Sequence, residues 1–167
     1  MPTKNHIKSP IYFGLAFISL LSGCSTTSNI AVLDEAALQS EFSIDTVEVT
    51  NNTGQVFDID IEAMLTSALV EELNSQGLSL KSGFPYSLDV SIIQYEKGNA
   101  FSRWLVPGMG ATILSVEARI TDEEDNVLTQ SQATRSIGAG GGYTIGAWRR
   151  VFGEVADSLI DDVVSVQ

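Results

Sequence analysis

Two alternating segments joined by a charged turn constrain the fold of this 167-residue chain more than any other feature. Apolar and polar residues alternate over 111–121 and again over 127–137, as in strands with one buried and one hydrated face. Residues 122–126 (DEEDN) separate them, and Asn126 tolerates a positive φ. The pattern predicts a long antiparallel hairpin. The side chains that we expect to face the core are Leu114, Val116 and Ala118.

Two other segments have the 3.6-residue periodicity of amphipathic helices. The first, 58–76, can be capped by Asp58 or Asp60, and Gly77 behind it suits the left-handed C′ position. The second lies near the chain end, and its apolar stripe consists of Ile145, Trp148, Phe152, Val155, Leu159 and Val163.

The remaining alternating segments predict strands. Residues 43–50 and 86–95 alternate, and the apolar phase changes at Ile92-Ile93, which predicts a β-bulge. A short strand at 78–81 is also compatible with the sequence. The order β-α-β-β-β-α predicts an α+β fold, a two-layer sandwich with a mostly antiparallel sheet of four to five strands and two helices on one face. Residues 43–167 are assigned to this single α+β domain.

The N-terminal residues have the organisation of a secretory signal peptide. Lys4 and Lys8 precede an apolar run of about 11 residues, which is shorter than the roughly 20 needed to span a membrane. The sequence LSGC at 21–24 then resembles the lipobox of bacterial lipoproteins. The alternative is an ordinary signal peptide with a chance cysteine.

The lipobox resemblance implies a location. It implies cleavage between Gly23 and Cys24 and acyl chains, including palmitate, on Cys24. Because Ser25 rather than Asp follows, it implies sorting to the outer membrane, on the periplasmic face of a Gram-negative cell. Residues 1–23 are then the lipoprotein signal peptide and 24–42 a lipidated tether and linker.

Composition excludes several kinds of active site. Without residues 1–23 the chain has no histidine, since His6 is the only one, and its single cysteine is the expected lipidation site. Nucleophilic sites with an imidazole base and zinc sites of His and Cys are therefore excluded. We expect a protein that is not an enzyme, with no cofactor, no metal and no catalytic residues. Carboxylate or hydroxyl chemistry stays formally open.

The chain is strongly acidic. Nine Lys and Arg against 21 Asp and Glu give a net charge of −12, and loss of Lys4 and Lys8 changes it to −14. Such a surface is repelled by nucleic acid and by anionic lipid head groups. We therefore expect no nucleic-acid partner.

An apolar segment at 101–110 (FSRWLVPGMG) is the main candidate for an interaction surface. It lies between two strands, where turns are normally polar, and exposed apolar patches often contact partners or membranes. Trp beside Arg is also frequent at binding hot spots. The alternative, of equal weight, is that the segment covers the open end of the sheet. The partner-binding candidates are Phe101, Arg103, Trp104, Leu105, Val106 and Met109.

Two further features favour structural interpretations. The glycine run at 138–142 lacks the Lys-Ser/Thr of a P-loop and the G-x-G-x-x-G spacing, so we interpret it as a flexible connection. Tyr143 beside it is a further partner-binding candidate. The acidic set 122–125 lacks EF-hand spacing and is interpreted as a solvated hairpin tip.

Three motifs, RWLVPG at 103–108, SVEARITD at 115–122 and NVL at 126–128, resemble a family of small bacterial lipoproteins of unknown function. More distantly, the layout is similar to the α+β domain of the curli-secretion lipoprotein and the N-terminal domain of the Tol–Pal translocation protein. These resemblances imply envelope assembly or secretion and supply no catalytic residues.

The sequence therefore predicts a lipid-anchored periplasmic protein with a non-enzymatic binding or assembly role in a cell-envelope complex. Its partner would be an envelope protein or a second copy of the chain in a homo-oligomer. The alternative is a small-molecule-binding or carboxylate-dependent hydrolytic protein, which would need a concave pocket with two facing carboxylates.

Overall fold

In the computed structural model, the structure describes residues 25–32, 43–78, 85–105, 109–138 and 146–165. The elements in chain order are β1 (Ser25–Val32), β2 (Ile44–Asn51), α1 (Ile61–Ser75), β3 (Tyr86–Glu96), α2 (Ala100–Leu105), β4 (Thr112–Thr121), β5 (Val127–Ile137) and α3 (Ala147–Val164). No helix in these ranges is long and apolar enough to cross a membrane.

The five strands form one mixed sheet in the order β1-β5-β4-β3-β2. Three neighbouring pairs are antiparallel, and β2 pairs with β3 in parallel, so the α1 helix serves as the crossover between them. Helices α1 and α3 pack against each other and against the sheet. The predicted fold class, an α+β two-layer sandwich, is confirmed.

The core lies between these two helices and one face of the sheet. Helix α1 supplies a leucine-rich row at four-residue spacing, Ile61, Leu65, Leu69 and Leu73. Strand β4 supplies Leu114, Val116 and Ala118, as predicted, because alternate residues of a strand point to one side. Of the predicted stripe on α3, Trp148 is half-buried and Ile145 lies outside the described residues. The buried members are Phe152, Val155, Leu159 and Val163.

The ends of α1 confirm the predicted capping chemistry. The Oδ1 atom of Asp60 accepts a hydrogen bond from the Ala63 N–H at 2.9 Å, so Asp60 rather than Asp58 is the N-cap. At the other end Gly77 has a φ of +76°, and the Leu78 N–H bonds to the Leu73 carbonyl at 2.8 Å.

The predicted irregularity in β3 is also present. The pairing of β3 with β4 shifts register between Ile92 and Gln94, so the intervening residue forms the bulge.

In the hairpin turn the positive φ is at Asp125, with a value of 62°, and not at Asn126. Asn126 is held instead by the Asp122 carboxylate, which accepts hydrogen bonds from both its backbone and its amide.

The other face of the sheet is polar. The register places Glu48, Asp89, Glu117 and Gln132 on it, and its short hydroxyl side chains bond to one another. Thr134 donates to Ser115 at 3.0 Å, and Thr46 and Ser87 are 2.8 Å apart. The described core lies entirely on the opposite, helix-bearing side.

Two sequence predictions differ from the structure, and a third falls mostly outside the described residues. Residues 24–42 were assigned to a tether and linker, but Ser25–Val32 is an edge strand paired with β5. The strand pairs with β5 through its backbone, with Thr27 opposite Thr134 for example, so the pairing needs no apolar alternation in the sequence. The apolar segment after β3 was treated as a loop, yet its first part is the helix α2. Most of the possible strand at 78–81 lies outside the described residues.

Candidate interaction surface

The segment that carries α2 is closed at its base by hydrogen bonds. Strand β3 ends at Glu96, and the Asn99 N–H then bonds to the Gly110 carbonyl at 3.0 Å across the segment. The Thr112 hydroxyl also donates to the Lys97 carbonyl at 2.8 Å. The two ends of the segment are therefore fixed to the ends of β3 and β4.

A side-chain cap starts the short helix α2. The Asn99 Oδ1 atom accepts hydrogen bonds from the N–H groups of Phe101, at 2.9 Å, and Ser102, at 3.3 Å. Asparagine is favoured there because its side chain satisfies N–H groups that have no partner within the helix. The capped turn holds the residues that follow in one orientation.

Large apolar side chains project from this fixed segment into solvent. Phe101 is 66% exposed, Leu105 55% and Met109 57%. We call these three residues the α2 surface. Only Val56 is a further exposed large hydrophobic residue within the described ranges, so this kind of exposure is concentrated on one segment. Such clustering is typical of a contact surface.

The other predicted partner-binding residues are distributed as follows. Arg103 and Trp104 belong to α2. Val106 and Tyr143 lie outside the described residues, as does the glycine run from 139 onward. The partner-binding role of all these residues stays a prediction.

The strand register places the α2 surface at a particular end of the sheet. Glu96 pairs with Ile113, and Thr112 pairs with Ile137, so α2 emerges where β3 ends and β4 begins. Ser25, the first residue of β1, pairs with Ser136. Ser25, the residue that follows Cys24 in the sequence, therefore lies at the same end of the sheet as the α2 surface.

An aromatic and charged cluster lies beside this segment. The Lys97 Nζ atom is 2.8 Å from the Asp58 carboxylate and 5.3 Å from the Trp148 ring centroid, and the Arg149 guanidinium is 4.6 Å from the same ring. The hydrogen bond and charge of Lys97 hold the pKa of Asp58 below its usual value. Sequence periodicity predicted Trp148 as part of the core stripe and did not predict its contacts with Lys97 and Arg149.

A second charged group fastens α3 to the sheet. Arg135 of β5 meets Glu154 at 2.7 Å, and Arg150 meets the same carboxylate at 3.2 Å. The Arg135 and Glu154 side chains are both largely shielded from solvent, so this pair is screened less than an exposed one. Arg150 is exposed and is paired with Glu154.

A shallow groove of about 510 Å³ runs between α1 and α3. Met64, Ala68 and Phe152 form its apolar part. Its carboxylates, Asp60 and Glu71, are both on α1 and eleven positions apart, which corresponds to about 16 Å along a helix. Paired carboxylates of glycoside hydrolases are at most about 9.5 Å apart. Among the residues that line this groove, Asp60 and Glu71 are therefore not placed as such a pair.

The acidic hairpin turn uses its first carboxylate internally. The Asp122 Oδ1 atom accepts hydrogen bonds from the N–H groups of Glu124, at 3.0 Å, and Asn126, at 2.9 Å. These bonds, the Asn126 side-chain amide first, lower the pKa of Asp122. No group of three or more Asp, Glu, His or Cys is arranged for a metal within the described ranges.

Comparisons with solved structures find the same fold at low sequence identity. PelC of Paraburkholderia phytofirmans, solved as a dodecamer, has a TM-score of 0.56 and 12% identity, over 83% of this chain and 97% of PelC. A protein from Xanthomonas campestris has a TM-score of 0.54 and 12% identity, over 75% of this chain and 85% of that one. At this identity the similarity concerns the fold.

Sequence comparison gives the family. No curated protein matches the chain. A family model described as "Domain of unknown function (DUF4410)" matches residues 38–141, from before β2 through the end of β5. This match covers more than half of the 167 residues. The chain belongs to the DUF4410 family.

Proposed function

We propose that this protein is a lipoprotein held on the periplasmic face of the outer membrane by acyl chains on Cys24, where it acts by binding or assembly in an envelope complex. The observation that carries the proposal is the exposed α2 surface, fixed at the end of the sheet where Cys24 joins β1. Large apolar side chains that are more than half exposed and grouped on one segment often mark a contact surface.

Binding fits the described residues better than catalysis does. The groove between α1 and α3 is one place in the described part of the chain where a small molecule could bind. Of its carboxylates, Asp60 is engaged as the cap of α1, and Glu71 lies too far along the same helix to act with it. These two facts count against a hydrolase with paired carboxylates at this groove, and small-molecule binding stays the alternative.

Self-association is a further part of the proposal. PelC, which shares the fold, is a dodecamer, and the resemblances to the curli-secretion and Tol–Pal proteins point to assembly in the envelope. Among the described strands, β2 lies at one edge of the sheet, and the face away from the helices is polar and carries hydrogen-bonded hydroxyl groups. Both features suit contact between copies of the chain.

The anchor is tested by substituting its sulfur. Cys24→Ser removes the thiol that would form the thioether, so we expect no incorporation of radiolabelled palmitate and retention of the signal peptide as an uncut precursor. Ser25→Ala is the matched control, because it changes the next residue and keeps the thiol. Labelling of Cys24→Ser at the level of the control would refute the anchor.

Association is tested on the same labelled cells. Chemical crosslinking of intact envelopes should convert the palmitate-labelled band into larger species, as a ladder of multiples for a homo-oligomer or one discrete band for a protein partner. A labelled band that stays monomeric at every crosslinker concentration would contradict an assembly role.

A further inference from the structure

The α2 surface and the anchor lie at the same end of the molecule, and this places the surface against lipid. Strand β1 follows Cys24 in the chain, and β4 follows α2. In the described sheet a single strand, β5, lies between β1 and β4. With strands about 4.8 Å apart, the anchor enters the fold about 10–15 Å laterally from the start of β4 and the end of β3. This inference rests on the lipid anchor proposed above.

The anchor has no tether between it and the fold. Ser25 is the residue after Cys24, and Ser25 is already paired with Ser136 in the sheet. Successive Cα atoms are about 3.8 Å apart, so the acylated residue cannot stand off from the domain. Acyl chains in the hydrocarbon core thus hold this end of the sheet within the head-group layer, which is about 5–8 Å thick on each side.

The exposed side chains have the chemistry of an interfacial contact. Phe101, Leu105 and Met109 are apolar and more than half exposed, and they project from a segment whose base is closed by hydrogen bonds. Burial of such groups at the boundary between head groups and acyl chains adds to the binding given by lipidation. We propose that the α2 surface rests on the bilayer that carries the acyl chains of Cys24.

The distribution of charge favours the same orientation. Lys97 and Arg135 lie near the end of the sheet that carries Ser25, where each is paired with a carboxylate, Asp58 and Glu154 respectively. The acidic turn 122–126 lies at the opposite end of the hairpin, beyond Thr121 and Val127. An anionic leaflet would repel the acidic turn, so the opposite end of the sheet, which carries the α2 surface, would face the bilayer.

The experiment measures the depth of single labelled positions in the acylated protein. The Cys24 sulfur is occupied by the thioether, so an introduced cysteine is the only free thiol and accepts a nitroxide spin label. Leu105→Cys and Met109→Cys report on the α2 surface, and Glu123→Cys in the distant hairpin turn is the matched control. Each acylated variant is reconstituted into vesicles of phosphatidylethanolamine and phosphatidylglycerol.

We expect the labels at positions 105 and 109 to collide more often with oxygen, and several-fold less often with a water-soluble nickel chelate, than the label at position 123. Equal accessibility at the three positions, in protein that floats with the vesicles, overturns the lipid contact and leaves the anchor intact. If the labels at positions 105 and 109 are accessible to the nickel chelate in vesicles but protected from it in native envelopes, the lipid contact is overturned in favour of a protein partner. Protein that does not float refutes the anchor itself, and the lipid contact with it.

Discussion

At the scale of single residues, Tyr95 is the least expected feature of the core. Tyr95 is 3% exposed. Its ring packs edge-on against Phe57, with 5.1 Å between the centroids, and in a tilted arrangement against Phe152, with 5.5 Å between the centroids. Its hydroxyl is buried without a hydrogen-bond partner among the described residues. Burial first, and then the charge of Asp58, raise the pKa of Tyr95 to about 12. The bulge in β3 turns Tyr95 towards the core, and as a result its hydroxyl is buried without a hydrogen bond from the described residues.

Removal of this hydroxyl should not weaken the protein. We expect Tyr95→Phe to keep the ring packing and to leave the free energy of unfolding unchanged or higher by up to about 1 kcal/mol, because no hydrogen bond is lost. Urea unfolding of purified protein measures this. Thr129→Val is a matched case, since the Thr129 hydroxyl is also buried without a partner in the described part of the chain. A loss of more than about 1 kcal/mol in both variants would mean that these hydroxyls have partners.

At the scale of elements, the sequence predicted those whose signal is periodic. The hairpin, the helices α1 and α3 and the bulge in β3 all follow from apolar spacing, and the structure contains each of them. Strand β1 was missed because its residues from Ser25 to Asn29 carry no apolar alternation, and edge pairing is decided by backbone hydrogen bonds. Helix α2 was missed because six residues are too few to show a 3.6-residue period.

For the candidate surface, too, the sequence could identify some features, and only the structure shows the others. Composition identified Phe101, Leu105 and Met109, and the structure adds their exposure. The contact of Lys97 with Trp148 joins residues 51 positions apart, so no local pattern could reveal it. The common end shared by Cys24 and α2 depends on β1, which the sequence had assigned to a tether.

The N-cap of α1 gives a prediction at this scale. Asp60→Ala removes the acceptor for the Ala63 N–H and should cost about 1 kcal/mol of stability. Asp60→Asn, which keeps a capping oxygen, should stay close to the wild type. Thermal unfolding followed by circular dichroism compares the three proteins. Equal losses of stability in Asp60→Ala and Asp60→Asn would show that the negative charge of Asp60, and not its hydrogen bond to the Ala63 N–H, stabilises the helix.

At the scale of the whole molecule, negative charge accumulates on the last helix. The pKa of Asp157 is raised, by partial burial first and then by Asp161, Glu72 and Glu154, against the opposing effect of Arg135. A raised pKa in the folded state means that the folded protein binds protons more tightly than the unfolded chain. Ionisation of Asp157 therefore weakens folding, and the penalty is present above the folded pKa and disappears below the ordinary value of 3.8.

Asp157→Asn should accordingly raise the melting temperature at pH 7, and the difference from the wild type should vanish on acidification to below about pH 3.8. Asp122→Asn should behave in the opposite sense, because hydrogen bonds in the turn lower the pKa of Asp122 and its ionised form is the favoured one. Calorimetry of both variants from pH 7 to pH 3 measures the two signs. A higher melting temperature for Asp122→Asn at pH 7 would contradict the account of the turn.

The direct entry of the chain into β1 at Ser25 sets the reach of the domain under the anchor proposed above. Acyl chains on Cys24 would leave no flexible spacer before the fold, so the reach of the domain from the bilayer would be set by its own length. Ten residues of β4 extend over about 33 Å, which separates the acidic hairpin turn from the end of the sheet that carries Ser25. Under that proposal the domain works close to the membrane surface, and a partner must approach within this length.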